Sequence, residues 1–236
     1  MSTPPSSAMT IAERALEFVF PGSVVGLGTG HAATDFIHAL GQRVRSGFRV
    51  QGIPTSQASA DLARQLGIPL VEFDAVEAID VDVDGADEVD PQCDLIKGYG
   101  GALIREKIVA VASRKLVILV GPEKLVSVLG SRGKLPVEVL PFAVPLARRR
   151  LAALGCDPVL RIDEHNARPL ITDNGNNILD CRIEPLLKPA ELELAIREIP
   201  GVVGTGLFLG MADVVLIQHE SGVEVRERVA AARNPA

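Results

Sequence analysis

Short aliphatic runs that end in glycine, proline or hydroxyl turns and hand over to helices are what most constrain this chain. Residues 23–27 form such a run, and Gly28-Thr29-Gly30 then opens a segment with Phe36, Ile37, Leu40 and Val44 on one helical face. Residues 48–53 form a second run, ending at Pro54-Thr55-Ser56, with a helix to about residue 66 and Gly67 as its stop. Strands are expected over 68–72, 78–83 and 116–120, with a helix over 102–113 before the last of them. Thr10-Ile11-Ala12-Glu13 has the form of a capping box and predicts an opening helix over roughly 8–19. This alternation predicts an α/β fold: a Rossmann-like, mostly parallel sheet with helices on both faces.

The pattern changes after Gly130. A Pro-bounded strand over 135–141 leads to a helix around 144–154 that stops at Gly155. Asp173-Asn174-Gly175-Asn176-Asn177 reads as a hairpin turn between strands 169–172 and 178–181, and a second helix covers about 189–198. That order suits a small α+β, ferredoxin-like domain. Strands over 213–218 and 223–226 then complete the first sheet. The expected division is residues 1–130 with 205–236 as one domain and 131–204 as the other.

Apolar residues make up 47% of the 236 but aromatics only 3%, so the core must be aliphatic. The net charge of −6 argues against a broad nucleic-acid footprint and leaves any anionic ligand to a few local cations or amides. Cys93, Cys156 and Cys181 show no CxxC pairing and read as reduced thiols of a cytoplasmic protein. The four histidines show no metal-ligand spacing, so no metal site is expected. The opening MSTPPSSAM has neither a basic region nor an apolar run and is not read as a signal peptide, and no stretch suits a membrane span.

The chemistry concentrates between residues 81 and 107. Asp84, Asp87, Glu88 and Asp90 follow a Val-rich strand, Lys97 precedes Gly98-Tyr99-Gly100-Gly101, and Glu106 follows on a helix. Several acids beside a lysine at a strand end suit proton transfer on a polar small molecule. Gly85 and Ala86 let a ligand approach the backbone, and Asp84 and Asp87 can push each other's pKa values apart, although a solvated acidic turn or a metal site would look similar. Glu106 shares its helical stripe with Ala102, Leu103, Val109, Ala110 and Ser113, which favours a raised pKa. On helix geometry alone, an exposed glutamate in an Arg-Glu-Lys patch is the commoner outcome. Lys97 can stabilise an oxyanion or be a surface lysine; Lys124 can bind an anion or snorkel. Gly28-Thr29-Gly30 at a helix start suits a phosphate, though a tight turn without a ligand explains it as well, and Thr55 and Ser56 on the neighbouring strand end can join that pocket, though a helix N-cap is their commoner role and both can hold at once.

Eight blocks in order resemble the A-type ribose-5-phosphate isomerase family. They are GLGTG (26–30), TS (55–56), DGADEVD (84–90), LIKG (95–98), GALIREKIVA (101–110), LPVEVLPFA (135–143), TDNGN (172–176) and IPGVVGTGLF (199–208). The resemblance implies interconversion of ribose 5-phosphate and ribulose 5-phosphate, a step of the non-oxidative pentose phosphate pathway, with no metal or organic cofactor. It implies Glu106 as the base acting between C1 and C2 through an enediolate, and Asp84 in ring opening and hydroxyl-proton handling. Asp87 would bind substrate and assist. Lys97 and the amides after it would steady the enediolate oxygen, and Lys124 would contact substrate. The 131–204 region would contribute to a homodimer or homotetramer interface.

Two departures stand out. The family's glycine turn usually reads GTGSTA, whereas here His31 and Ala32 replace two hydroxyl residues; the lysine often found near the first helix is also missing, since none precedes Lys97. Tyr99 stands where the family usually has glycine. The substrate-binding set is thus Gly28, Thr29, Gly30, His31, Ala32, Thr55, Ser56, Gly85, Ala86, Gly98, Tyr99, Gly100 and Lys124. Rival readings are an isomerase of another small sugar or sugar phosphate, prompted by the altered turn, and a sensor that binds sugar phosphates without turnover. A coenzyme-A transferase relative is possible by fold but has no support in the loops.

Overall fold

The computed structural model describes residues 9–164 and 166–229. A six-stranded sheet holds β1 (Val24–Leu27), β2 (Gln51–Pro54), β3 (Val81–Gly85), β6 (Leu116–Val120), β12 (Val214–His219) and β13 (Gly222–Glu227), in the order β13-β12-β6-β3-β1-β2. Only the β12–β13 pair is antiparallel. β6 is buried along its whole length, as the unbroken LVILV run requires of a strand covered on both faces. Helices α1 (Ile11–Ala15), α2 (His31–Arg45), α3 (Gln57–Gln65) and α4 (Leu103–Ala112) connect and cover it. Phe36, Ile37 and Leu40 of α2 pack with Val25, Leu27, Val81, Val83, Val117 and Leu119 in one aliphatic core.

A second sheet is ferredoxin-like. Its chain order is β7 (Lys134–Val139), α5 (Val144–Ala153), β8 (Asp157–Leu160), β9 (Asn177–Arg182), α6 (Pro189–Arg197) and β10 (Val202–Thr205). The four strands are antiparallel in the order β10-β7-β9-β8. Between the two sheets lies a ladder of two-residue strands: β4 (Glu88–Val89), β5 (Leu95–Ile96) and β11 (Leu207–Phe208). Such short pairings have no periodicity to read, and they went unexpected.

Three expected elements come out differently. The capping box forms, with the Glu13 and Thr10 backbone N–H groups bonded reciprocally to the Thr10 and Glu13 side chains. The helix it starts runs only over Ile11–Ala15, then tightens to a 3₁₀ turn and ends at Val19, before Phe20-Pro21. A residue preceding proline is pushed out of the helical region, which fits the stop before Phe20. The 68–72 strand shrinks to a bridge between Leu70 and Gly52, beside Pro69, which has no N–H to donate. The 169–172 strand is absent: Pro169 bridges Ile162, and β9 pairs with β8 and β7 instead. The Thr172–Asn176 turn is held by the Glu138 carboxylate, which accepts from Thr172 Oγ1, Asn174 Nδ2 and Asn176 Nδ2 at 3.1, 3.1 and 2.9 Å.

Candidate active site

The parallel strands run from β1 outward to β2 on one side and to β3, β6 and β12 on the other, so the order reverses between β1 and β3. Ligands of open α/β sheets sit outside the carboxyl ends of strands at such a reversal. Here the ends of β1, β3 and β6 surround a cleft of about 550 Å³. Thr29–Ala32, Gly85–Asp87, Lys97–Gly100, Glu106 and Lys124 line it, with Leu119–Gly121 and Glu123. A larger depression of about 730 Å³ between α1 and α2 presents only Glu13 and Arg43 as charged groups, so volume alone does not locate the chemistry.

Glu106 is 3% exposed, one turn into α4 on the same buried stripe as Leu103, Val109 and Ala110. The helical stripe is as expected; the exposed Arg-Glu-Lys patch is not what forms. Its flanking cations point elsewhere. Arg105 donates to Asn174 Oδ1 and the Asp173 carbonyl, and Lys107 to the Thr205 carbonyl. Glu106 Oε2 lies 3.5 Å from Lys97 Nζ and has no hydrogen-bond partner. Burial, against the attraction of Lys97 and with repulsion from Asp84 and Asp87, pushes its pKa up to about 8.

Lys97 is likewise buried, held at 3.0 Å from Asp84 Oδ2 and donating to the Gly85 carbonyl. Burial disfavours its charge, but Asp84 and Glu106 more than offset this and hold its pKa above the usual lysine value. Asp84 accepts from the Thr29 and Gly85 amides at 3.0 and 2.7 Å. A Cβ on Gly28 would collide with this carboxylate, which is why a glycine must stand at the end of β1. Asp84 does not itself line the cleft; it lies beneath, holding the lysine. Asp87 does line it, accepts from the Tyr99 amide at 2.9 Å, and has its pKa raised by burial.

Gly98 takes a positive φ of 103°, which favours glycine, and turns the chain after Lys97. Tyr99 packs against the core of the small sheet, its hydroxyl donating to the Lys134 carbonyl at 3.2 Å with Lys134 Nζ 4.5 Å from its ring centre. His31 is the exposed first residue of α2, and its helix has no side-chain cap, so the amides of His31 and Ala32 open to the cleft. Thr55 and Ser56 are buried and do not line the cleft; they meet Thr29 Oγ1, each at 2.8 Å, and Ser56 caps α3 through Ser59. Gly28 is also behind the wall. Glu88 and Asp90 are structural: Glu88 accepts from the Gly130 and Arg132 amides, and Asp90 from Gln92 and Asp94. Glu123 was not anticipated, although its place just past the β6 end, beside Lys124, was a usable signal. Among the described residues no cluster of metal-ligating side chains occurs, and no helix is long and apolar enough to cross a membrane.

A family model described as ribose 5-phosphate isomerase A (phosphoriboisomerase A) matches residues 51–222. Ribose-5-phosphate isomerase A of Roseiflexus castenholzii is 50% identical over 214 residues, covering 90% of this chain and 91% of that protein. The Gloeobacter violaceus protein of the same name is 51% identical over 217 residues, 92% of this chain and 94% of its own. A D-ribose-5-phosphate isomerase solved in complex with phospho-erythronic acid superposes with a TM-score of 0.89 at 39% identity, over 92% of this chain and 96% of that one. Ribose 5-phosphate isomerase A of Methanocaldococcus jannaschii gives 0.89 at 42% identity, over 93% and 97%. The chain therefore belongs to the ribose 5-phosphate isomerase A family.

Proposed function

We propose that this chain interconverts ribose 5-phosphate and ribulose 5-phosphate, the activity for which its family is named, by proton transfer through an enediolate. The observation that carries this is Glu106: a buried carboxyl at the cleft wall, with one unpartnered oxygen, a pKa near 8 and an ammonium at 3.5 Å. A base must hold a proton loosely enough to take it from carbon and to return it, which a pKa near the working pH allows. Glu106 removes the C2 proton of the open-chain aldose. The electron pair forms the C1–C2 double bond, and O1 becomes the oxyanion. Glu106 then returns the proton to C1 as the double bond becomes the C2 carbonyl. Lys97 stabilises the charge on oxygen. Asp87, which lines the cleft, moves the hydroxyl proton between O2 and O1, and Asp84 keeps Lys97 in place from below.

The phosphate is assigned to the start of α2, where free amides and the helix dipole favour an anion, with His31 beside them and Lys124 across the cleft. The phospho-erythronic acid bound by the related enzyme supports a phosphorylated small acid or sugar as ligand. We place the protein in the cytoplasm, where its three buried thiols stay reduced. Residues 131–204 are assigned as a separate domain at a homodimer or homotetramer interface, supported by the exposed Phe142 and Leu187. Ribulose 5-phosphate formation by wild type and Glu106→Gln tests the function: absence of turnover in wild type sinks the activity, and an unimpaired variant sinks the base.

A further inference from the structure

Arg161 leaves the end of β8 and reaches the loop that follows Lys97. Its Nη1 donates to the carbonyl oxygens of Gly98 and Tyr99, both at 3.0 Å. Its Nε and Nη2 fork onto the Asp180 carboxylate of β9 at 2.8 and 2.5 Å. Lys134 Nζ of β7 lies 3.4 Å from the same carboxylate. A planar guanidinium gripped on two edges in this way has little freedom to turn. Three strands of the ferredoxin-like sheet thereby hold a loop of the cleft wall.

What they hold is the orientation of two peptides. In a trans peptide the N–H points opposite to the C=O. The Gly98 carbonyl faces Arg161, and the amide on the other side of that peptide, Tyr99 N–H, reaches Asp87 Oδ2 at 2.9 Å. The Tyr99 carbonyl also faces Arg161, so the Gly100 N–H of that peptide is directed away from the small sheet. Gly100 lines the cleft, and its N–H has no protein partner among the described residues. A cation on the carbonyl oxygen also polarises the peptide and makes its N–H a stronger donor.

We propose that Arg161 is a positioning residue for the isomerisation: gripped by Asp180, it holds the Gly98 and Tyr99 carbonyls so that the Gly100 N–H stands in the cleft as an oxyanion donor alongside Lys97. This rests on the functional reading above. It gives the small sheet a part in turnover.

The test uses the full-length protein and the variants Arg161→Ala, Arg161→Lys and Asp180→Asn, with kcat and KM for ribose 5-phosphate and the Kd of phospho-erythronic acid, whose planar carboxylate carries charge as the enediolate does. Arg161→Ala is expected to lower kcat about 10- to 100-fold while KM moves less than about 2-fold. Phospho-erythronic acid should bind more weakly by a larger factor than the change in KM. Methylguanidinium at non-denaturing concentration should restore part of the rate, whereas Arg161→Lys should not, since one ammonium cannot hold both carbonyls and fork onto Asp180. A wild-type kcat in Arg161→Ala, or a loss that methylguanidinium leaves untouched, overturns the proposal. Should Arg161→Ala fail to fold, Asp180→Asn carries the test: a lower kcat with KM kept supports the proposal, and an unchanged kcat overturns it. Wild type without turnover would sink the functional reading, whereas an active wild type matched by Arg161→Ala sinks this inference alone.

Discussion

At one end of the cleft and just beneath it the charged groups are buried side chains, each with a charged neighbour: Asp84 at 3.0 Å and Glu106 at 3.5 Å from Lys97, all but closed to solvent. At the other end the chain offers backbone amides at the start of α2 and an exposed imidazole. The first end depends on side-chain identity, because a buried charge that loses its partner is costly. The second depends on where a helix begins, and a helix begins with free amides whatever its first residues are. On this reading the start of α2 keeps its free amides with His31 and Ala32 as its first residues.

Substitutions at the two ends should therefore differ in kind as well as in size. Glu106→Gln should lower kcat by about 1,000-fold or more with little change in KM; a loss under tenfold would move the base elsewhere. Gly28→Ala should come next, because its methyl group displaces Asp84 and with it Lys97. A kcat lowered about 10- to 100-fold is expected, together with a lower thermal midpoint. Wild-type behaviour in both would show that the buried end tolerates rearrangement after all.

The pH profile separates the ends further. Glu106 must be ionised to accept a proton, and its pKa in the folded chain is about 8. So kcat/KM should fall roughly tenfold per unit as the pH drops below that value, with an apparent pKa belonging jointly to Glu106 and Lys97. A profile flat from about pH 6 to 8 would contradict this. At the phosphate end, His31→Ala should raise KM for the phosphorylated sugar by about 3- to 10-fold and leave kcat within about 2-fold. An unchanged KM removes His31 from the phosphate site.

The smallest effect is on stability. Burial raises the Glu106 pKa, so between its ordinary 4.5 and about 8 the folded chain binds more protons than the unfolded one. Stability linked to this group therefore decreases as pH rises through that window. Calorimetry of Glu106→Gln should show a thermal midpoint a few degrees above wild type at pH 8 and no difference near pH 4. A variant less stable at pH 8 would mean that pairing with Lys97 outweighs the cost of burial.

Much of this was legible in the chain. Unbroken aliphatic runs such as LVILV announce central parallel strands, and Phe36, Ile37 and Leu40 announce the buried face of α2. The order Asp84, Asp87, Lys97 and Glu106 points to one place in the chain, and the fold gathers these side chains around a single lysine and the cleft beside it. The two-residue strands around Lys97 are not legible, because a pair of residues has no periodicity; they form by pairing with segments remote in the chain, and the Lys97 and Asp87 amides extend that pairing by donating to the Gly206 and Ile96 carbonyls. The glycine-asparagine composition of 173–177 announces a turn, but not the hairpin expected there, since no strand forms over 169–172, and not the partners of that turn. Glu138, Gln57 and Arg105, which hold it, are remote in sequence.

Local sequence determined the element types, the strand-end placement of the acids and the membership of a family, since periodicity, turn chemistry and ordered motifs act over a few residues. Tertiary structure decided the electrostatics. Whether Glu106 is a solvated surface charge or a buried carboxyl beside an ammonium cannot be read from its helix alone; it depends on the packing of α4 over β3 and on Lys97 arriving from another loop. Likewise, Thr55 and Ser56 looked ready for a ligand, yet packing turns their hydroxyls toward Thr29, Ser59 and the Leu27 carbonyl. A residue type states what a group can do, but desolvation and neighbouring charge set its pKa and its reach, and both are properties of the folded chain.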